Sequence, residues 1–417
     1  VNRRVLDKYV ARNALTESVS AADAVGGAFS RAVVVPACGE AADFVAPLER
    51  AAVEAGGRTL LVLVVNARDA ASPRVHELNE ALLDVAEAHR HEALELVPVD
   101  RARPGRRMGE GEGVGTARRI GLDLAATLRQ RGQVDSPWLF NTDGDAAVPA
   151  DYFAAVDGIR RDAVAVVLPF VHTASGDAAV DRAHRLYEMS LRYYCLGLAH
   201  AGSSYVHHSM GSAMVFRADA YAAARGMPRR EAAEDFYMLD KLAKLGPVAQ
   251  PRCTALEIAS RRSDRVPFGT GRAVSTIADD AAAGGEFRLY DPRCFEVLGL
   301  VQEAIADGDA EAIAAVVRHP DAGPALAAIG AARALEDAAN RERQRDRRVR
   351  RMREWFDGFR TMRFVHELRD RRFPLLPWRE AIARAPFVAS TVDDSKVDPI
   401  VETSDLLCRL EWERLRA

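Results

Sequence analysis

The chain has 417 residues and a formal net charge of −3. That length suits one large domain with an appended region, or two domains. The near-neutral balance lacks the basic excess of a nucleic-acid binder, so no nucleic-acid partner is expected. No apolar run reaches the roughly 20 residues that span a bilayer, so no transmembrane segment is expected.

Residues 1–29 carry basic side chains without the apolar stretch of a signal peptide and read as a charged amphipathic helix. A cytoplasmic protein is expected, with attachment at a membrane surface left open. The five cysteines, Cys38, Cys195, Cys253, Cys294 and Cys408, are too dispersed for a zinc knuckle or a thioredoxin-like motif and read as buried thiols in a reducing compartment.

Residues 31–38, RAVVVPAC, form a short β-branched run ended by proline, a buried strand. Helical periodicity over 40–56 places Phe44, Leu48, Ala52 and Val53 on one face. RTLLVLVVN (58–66) is a second strand with no polar alternation, as a sheet covered on both faces requires. A helix over 74–91, a strand over 94–100, a Gly- and Arg-rich loop over 101–115 and a helix over 116–131 follow. WLFNTDGD (138–145) is a fourth strand ending in acids. Strands alternating with helices imply an α/β sheet with right-handed crossovers, whose ligands bind beyond the carboxyl ends of the strands. Glu40, Asn66, Asp143 and Asp145 all fall there.

In the second half, AVAVVLPFV (163–171) reads as a strand and 178–200 as a long helix. Residues 211–226 read as strand then helix, 231–246 as a helix and 253–259 as a strand-like segment. From about residue 300 the chain is alanine-rich and then strongly charged. Val349, Met352, Phe356, Phe359, Val365 and Leu368 keep a helical spacing, which predicts an amphipathic helix through 341–372. FPLLPW (373–378) follows it. This region has three open uses: the interface of a homodimer, an acceptor lid, or a membrane-surface contact; a simple packed helix is the plainer alternative.

Asp143-Gly144-Asp145 is the sharpest local feature. Two carboxylates one residue apart at a strand end reach a single hard cation, and a diphosphate completes the shell of Mg2+ or Mn2+. The same tripeptide also suits an ordinary turn. Glu234 and Asp235 open a helix, where the dipole favours acids; a carboxylate there is also a candidate general base. Gly109, Gly111, Gly113 and Gly115 punctuate a loop leading into a helix whose amides can meet phosphate, with Arg106, Arg107, Arg118 and Arg119 beside them. His208, next to His207, is a candidate further metal ligand, although paired histidines in a loop are commonly inert. Arg261, Arg262 and Arg265 are candidates for holding a diphosphate or are plain surface charge.

The ordered set VVVPACGE (33–40), GVGTARRIGLDLA (113–125), NTDGDAAVPADYF (141–153), GSAMVFRADAY (211–221) and AEDFYMLDKL (233–242) resembles family 2 glycosyltransferases, and GT-A enzymes more broadly. The resemblance covers about residues 30 to 265. It implies a GT-A domain over 30–295, with a Rossmann-like nucleotide-binding half and a mixed-sheet acceptor half, followed by a helical C-terminal extension over 296–417. It further implies a nucleotide-sugar donor and transfer, with inversion, to a hydroxyl acceptor that the sequence does not name. Asp143 and Asp145 correspond to the DxD element, Asp145 being the more direct metal ligand. Pro36 and Glu40 fall in the first nucleotide-binding loop, Arg118 flanks the nucleoside, and Gly211 and Ser212 line the acceptor side. Asp235 corresponds to the base, with Glu234 beside it. Two departures stand out. Gly39 replaces an asparagine common before the glutamate, and VVNARDAAS replaces an acidic pair that contacts the base. Asn66 and Asp69 are the nearest substitutes, and UDP is the default nucleotide.

Three other outcomes stay open: a retaining transferase on the same fold, a sugar-phosphate nucleotidyltransferase, and a non-catalytic module binding a nucleotide or glycan. GVGTARR is superficially similar to the nucleotidyltransferase signature but follows the third strand, whereas that signature belongs after the first.

Overall fold

The structure is a computed structural model that describes residues 2–260, 270–388 and 398–416. It divides into two compact units, one of residues up to Asp177 with Ser209–Arg272, the other of Ala178–His208 with Ala273–Arg416. The dividing points therefore differ from a single cut near residue 296.

The first unit runs α1 (Arg3–Arg12), α2 (Thr16–Asp23), β1 (Arg31–Ala37), α3 (Val45–Ala55), β2 (Thr59–Asn66), α4 (Pro73–Ala88), β3 (Leu94–Arg101), α5 (Val114–Arg131), β4 (Trp138–Asn141), β5 (Ala146–Ala147), β6 (Ala165–Val167) and β7 (Phe170–Thr173). After α6 (Ala178–His200), which belongs to the second unit, come β8 (Met214–Arg217), α7 (Ala218–Ala223), α8 (Glu234–Ala243), β9 (Val248–Ala249) and β10 (Leu256–Ala259). Seven strands form one sheet in the order β3-β2-β1-β4-β8-β6-β9. The β3-β2-β1-β4 half is parallel, and β8 pairs antiparallel with both β4 and β6. The unit is thus mixed α/β. A smaller sheet holds β5, β10 and β7.

β2 is buried at every residue, as its unbroken apolar run requires. Leu60, Val62 and Val64 alternate onto the face that packs with Ile120, Leu124 and Leu128 of α5. Gly121 permits this close approach: a Cβ there would overlap Val34 Cγ1 and lie 3.2 Å from Val64 Cγ2. Pro36 pairs with Val64 across β2 but lies beyond the stretch Ala32–Val34 that pairs with β4, so its missing N–H costs that ladder no bond.

Several sequence expectations change in detail. Residues 1–29 hold two helices, α1 and α2, tied to the first unit by the buried Asp123 carboxylate. It accepts from Tyr9 Oη at 2.6 Å, Tyr221 Oη at 2.7 Å and the Leu15 amide at 2.9 Å. Phe44, just before α3, and Leu48 and Ala52 on it are buried, but Val53 is 61% exposed, because one residue further turns the helix about 100° off that face. The expected strand 138–145 is β4, a turn and β5. The strand 163–171 is β6 and β7, interrupted at Leu168-Pro169, where proline has no ladder N–H to give.

The second unit is helical: α6, all but the first turn of α9 (Thr270–Ala282), α10 (Arg293–Asp307), α11 (Ala310–Arg318), α12 (Ala322–Ala328), α13 (Ala331–Arg341), α14 (Arg345–Trp355), α15 (Gly358–Arg371), α16 (Trp378–Arg384) and α17 (Pro399–Arg414). β11 (Arg288–Leu289) and β12 (Leu376–Pro377) form its short antiparallel ribbon. The single helix expected over 341–372 is two helices. Asp357 breaks it, leaving the helical region and accepting a bond from the Arg360 amide at 3.0 Å as the cap of α15. Met352, Phe356, Phe364, Val365 and Leu368 enter the core, and so do Phe373 and Trp378 of FPLLPW. Those two aromatics are interior packing and not a surface contact. No helix among the described residues is long and apolar enough to cross a membrane.

Candidate active site

The carboxyl end of β4 positions the site. Asn141 Nδ2 donates to the Gly211 carbonyl at 2.7 Å, fixing the segment that enters β8. Beyond it the chain turns through Asp143–Asp145. The Ala146 amide donates to the Asp143 carbonyl at 3.1 Å, and the Ala259 amide donates to the Asp145 carbonyl at 3.0 Å. β10 thus holds the far side of the turn.

Arg118, in the second turn of α5, is 3% exposed. Its Nη2 donates to Asp143 Oδ1 and its Nη1 to Glu234 Oε1. Ser212 Oγ donates to the other Asp143 oxygen at 2.7 Å. The guanidinium lies flat against Gly211, where a Cβ would come within 2.6 Å of Nη1 and 2.7 Å of Cζ; only glycine leaves that space. Glu40 closes another side, since a Cβ on Gly144 would sit 3.0 Å from Glu40 Cγ.

Glu234 and Asp235 open α8. The residue before them, Ala233, has φ +60°, a left-handed conformation costing a residue with a Cβ about 1–2 kcal/mol. Burial pushes the Glu234 carboxyl up to about 7; Arg118 opposes the shift, while Asp235 and Asp143 reinforce it. Burial also raises Asp235, with Arg118 pulling the other way and Asp143 adding repulsion. Burial acts to lower Arg118, but Asp143, Glu234 and Asp235 outweigh it and keep the guanidinium charged. Three carboxylates thus share one cation. When all are ionised, the cluster carries an excess of two negative charges.

The structure therefore gathers Arg118, Asp143, Gly211, Ser212, Glu234, Asp235 and Glu40. Asn66 serves the scaffold instead: its Nδ2 donates to the Ala37 carbonyl at 2.9 Å, and its own carbonyl accepts from Asn79 Nδ2 at 3.0 Å. Asn79 Oδ1 in turn accepts the Gly39 amide at 2.8 Å, so the two asparagines hold the loop that carries Glu40. Asp69 is ion-paired to Arg107 at 2.9 Å on the surface. The glycine-rich loop is pinned by Arg68, whose Nε donates to the Glu112 carbonyl at 2.8 Å and whose Nη2 meets Glu231 at 2.6 Å. Arg106 is paired to Asp100, and Arg119 braces Asp123 and the Asn13 carbonyl. Arg261, Arg262 and Arg265 lie outside the described residues.

His208 belongs to the second unit, and both of its ring nitrogens have partners there. Nδ1 lies 3.5 Å from Cys195 Sγ and Nε2 3.2 Å from Glu411 Oε2. The ligand expectation for His208 is thus answered by a buried ion pair, which a loop sequence gives no means of foreseeing. Burial and the neighbouring His208 push His207 down to about 4.

Sequence reading missed Asn79 and Asn141, whose role is to hold the loops. Their buried amides at 1% and 0% exposure are the structural sign; in sequence, the place of Asn141 at a strand end is a cue, whereas Asn79, inside α4, offers none. As a cation site, Asp143 and Asp145 offer two carboxylates at one turn. Among the described residues no three His, Cys, Asp or Glu side chains stand as a ready-made cluster. Such a site fits an ion whose shell is finished by substrate phosphates and water, the usual habit of Mg2+.

No family model matches the chain, and no curated protein matches it. Among solved structures, S. aureus TarS 1–349 in complex with UDP-GlcNAc aligns at 11% identity and a TM-score of 0.36, covering 80% of this chain and 92% of that one. The mannosyltransferase PcManGT from Pyrobaculum calidifontis, in complex with GDP-Man and Mn2+, aligns at 18% identity and a TM-score of 0.37, covering 89% and 100%. Likenesses this weak carry no argument about what the chain does.

Proposed function

We propose that the first unit is a GT-A-type, family 2-like glycosyltransferase that moves a sugar from a nucleotide-sugar, UDP-linked by default, to a hydroxyl acceptor with inversion. The observation that carries this reading is the excess of carboxylates around Arg118 at the carboxyl end of the parallel strands. When the cluster is fully ionised, its two surplus negative charges in a buried setting favour a divalent counter-ion, and that edge of the sheet is where such folds bind ligands. The ordered motifs of the sequence agree with it.

Asp143 and Asp145 would hold Mg2+ or Mn2+, which supplies neutralisation of the donor's diphosphate charge. Arg118 orients Asp143 and keeps its charge in place, while Ser212 fixes the second oxygen. Glu234 is anchored on Arg118 and almost wholly buried, whereas Asp235 is half-buried. Asp235 is therefore assigned as the base: its carboxylate takes the acceptor hydroxyl proton, the hydroxyl oxygen bonds to the anomeric carbon, and the carbon–oxygen bond to the diphosphate breaks, its electron pair leaving with the nucleotide.

The test is thermal unfolding with UDP or GDP, each with and without Mn2+. A nucleotide at one hundred times its dissociation constant stabilises the native state by about 2.7 kcal/mol. We expect Mn2+-dependent stabilisation that Asp145→Asn abolishes, and transfer from a nucleotide-sugar panel that Asp235→Asn abolishes while binding persists. No stabilisation by any nucleotide, or the same stabilisation in Asp145→Asn, refutes the assignment.

A further inference from the structure

α1 carries Arg4, Lys8 and Arg12 at intervals of four residues, which puts them on one stripe about 12 Å long. Facing them, just beyond the end of α7, stands Arg225, whose φ of +64° turns the chain back at that point. Between the two helices lies a cleft of about 640 Å³ that all four cations line, together with Asn2 and Asn13 and without any acidic side chain. The four are exposed, and none of them has an ion-pair partner among the described residues.

Acids on the adjoining elements are engaged elsewhere, Asp7 of α1 accepting from Gln130 Nε2 at 2.8 Å. Asp219 accepts from Arg217 Nε and from the Asn2 amide, each at 2.7 Å, and Asp123 is taken up by Tyr9, Tyr221 and Arg119. Around the corner, burial lowers Lys241, and Arg119, Arg230 and Arg225 lower it further by repulsion. The cleft lining itself is therefore purely cationic, on a chain whose overall charge is slightly negative. Like charges four apart on a helix repel, so this stripe disfavours its own helix unless an anion answers it. Guanidinium groups match phosphate oxygens in pairs, and a row of them suits several phosphates better than one.

We propose that this cleft binds a ligand bearing two or more phosphate groups, through Arg4, Lys8, Arg12 and Arg225. The ligand is either a free polyphosphate-type anion or the headgroups of an anionic lipid surface. The proposal stands apart from the donor site and survives if that assignment fails.

Two probes separate the sources, both used on the full chain with a chelator present so that no divalent cation contributes. Inorganic tripolyphosphate is followed by calorimetric titration, and vesicles of phosphatidylglycerol in phosphatidylcholine by co-sedimentation. Each cation facing an anionic surface strengthens binding about fivefold. Lys8→Gln with Arg12→Gln should therefore weaken the bound probe about thirtyfold, and Arg225→Gln, on the far side of the cleft, about fivefold. Arg50→Gln with Arg74→Gln, exposed charges elsewhere on the first unit, should match the wild type. Binding of tripolyphosphate alone assigns a free anion, and binding of vesicles, with or without tripolyphosphate, assigns a lipid surface. Failure of both probes to bind the wild type overturns the proposal, as does undiminished binding by the Arg225→Gln and double variants.

Discussion

Replacing Arg118 with methionine keeps most of the buried stem and removes the charge that Glu234 and Asp143 share. The side chains of Arg118 and Glu234 are each 4% exposed, so water cannot substitute for the lost cation. Stranding a buried ion in this way costs roughly 3–5 kcal/mol, provided the carboxylate remains ionised. Its ionisation is what changes with pH. Glu234 already sits at about 7, and Arg118 is one of the groups pulling it down; without Arg118 it rises further. A carboxyl whose folded pKa is raised loses stability as pH climbs from the unfolded value of about 4.3 to the folded one, by about 1.4 kcal/mol per pH unit. From pH 6 to pH 8 the wild type should lose about 1.4 kcal/mol through this group, because its loss stops near pH 7. The variant should lose more over the same interval, up to about 2.7 kcal/mol. Urea unfolding at pH 6, 7 and 8, with the slope m fitted at each pH, measures the difference. Parallel stability profiles for the two proteins would show that Glu234 does not depend on Arg118 and would refute the account of the cluster.

Gly121→Ala should destabilise the first unit by about 1–3 kcal/mol, since its Cβ would overlap Val34 and force α5 off the sheet; an unchanged melting temperature would contradict the packing. In the second unit, burial opposes protonation of His208, but Cys195 and Glu411 overcome it and push the ring up to about 9. Its stabilising contribution is therefore complete below its unfolded pKa of about 6.5 and lost as pH rises through about 9. His208→Gln should flatten the fall in stability expected of the wild type between about pH 6.5 and pH 9, while Arg192 and Arg416 keep Glu411 paired. A wild type whose stability does not fall there would remove the charged pair from consideration.

The sequence by itself determined the alternation of strands and helices through residue 147. Hydrophobic runs such as 58–66 have only one way to hide both faces. It also determined that Asp143, Asp145, Glu234 and Asp235 sit at element ends, because acids there follow directly from strand and helix boundaries. Only the tertiary structure decided which of these groups meet. Arg118 and Glu234 are 116 residues apart in the chain, and no local pattern states that a guanidinium will lie on the backbone of Gly211 and bind both. Nor does local pattern reveal that Asp357 ends one helix and caps the next, or that His208 is spent on Glu411. Local propensity acts within a few residues, whereas burial and the pairing of charges depend on which distant surfaces the folded chain brings face to face.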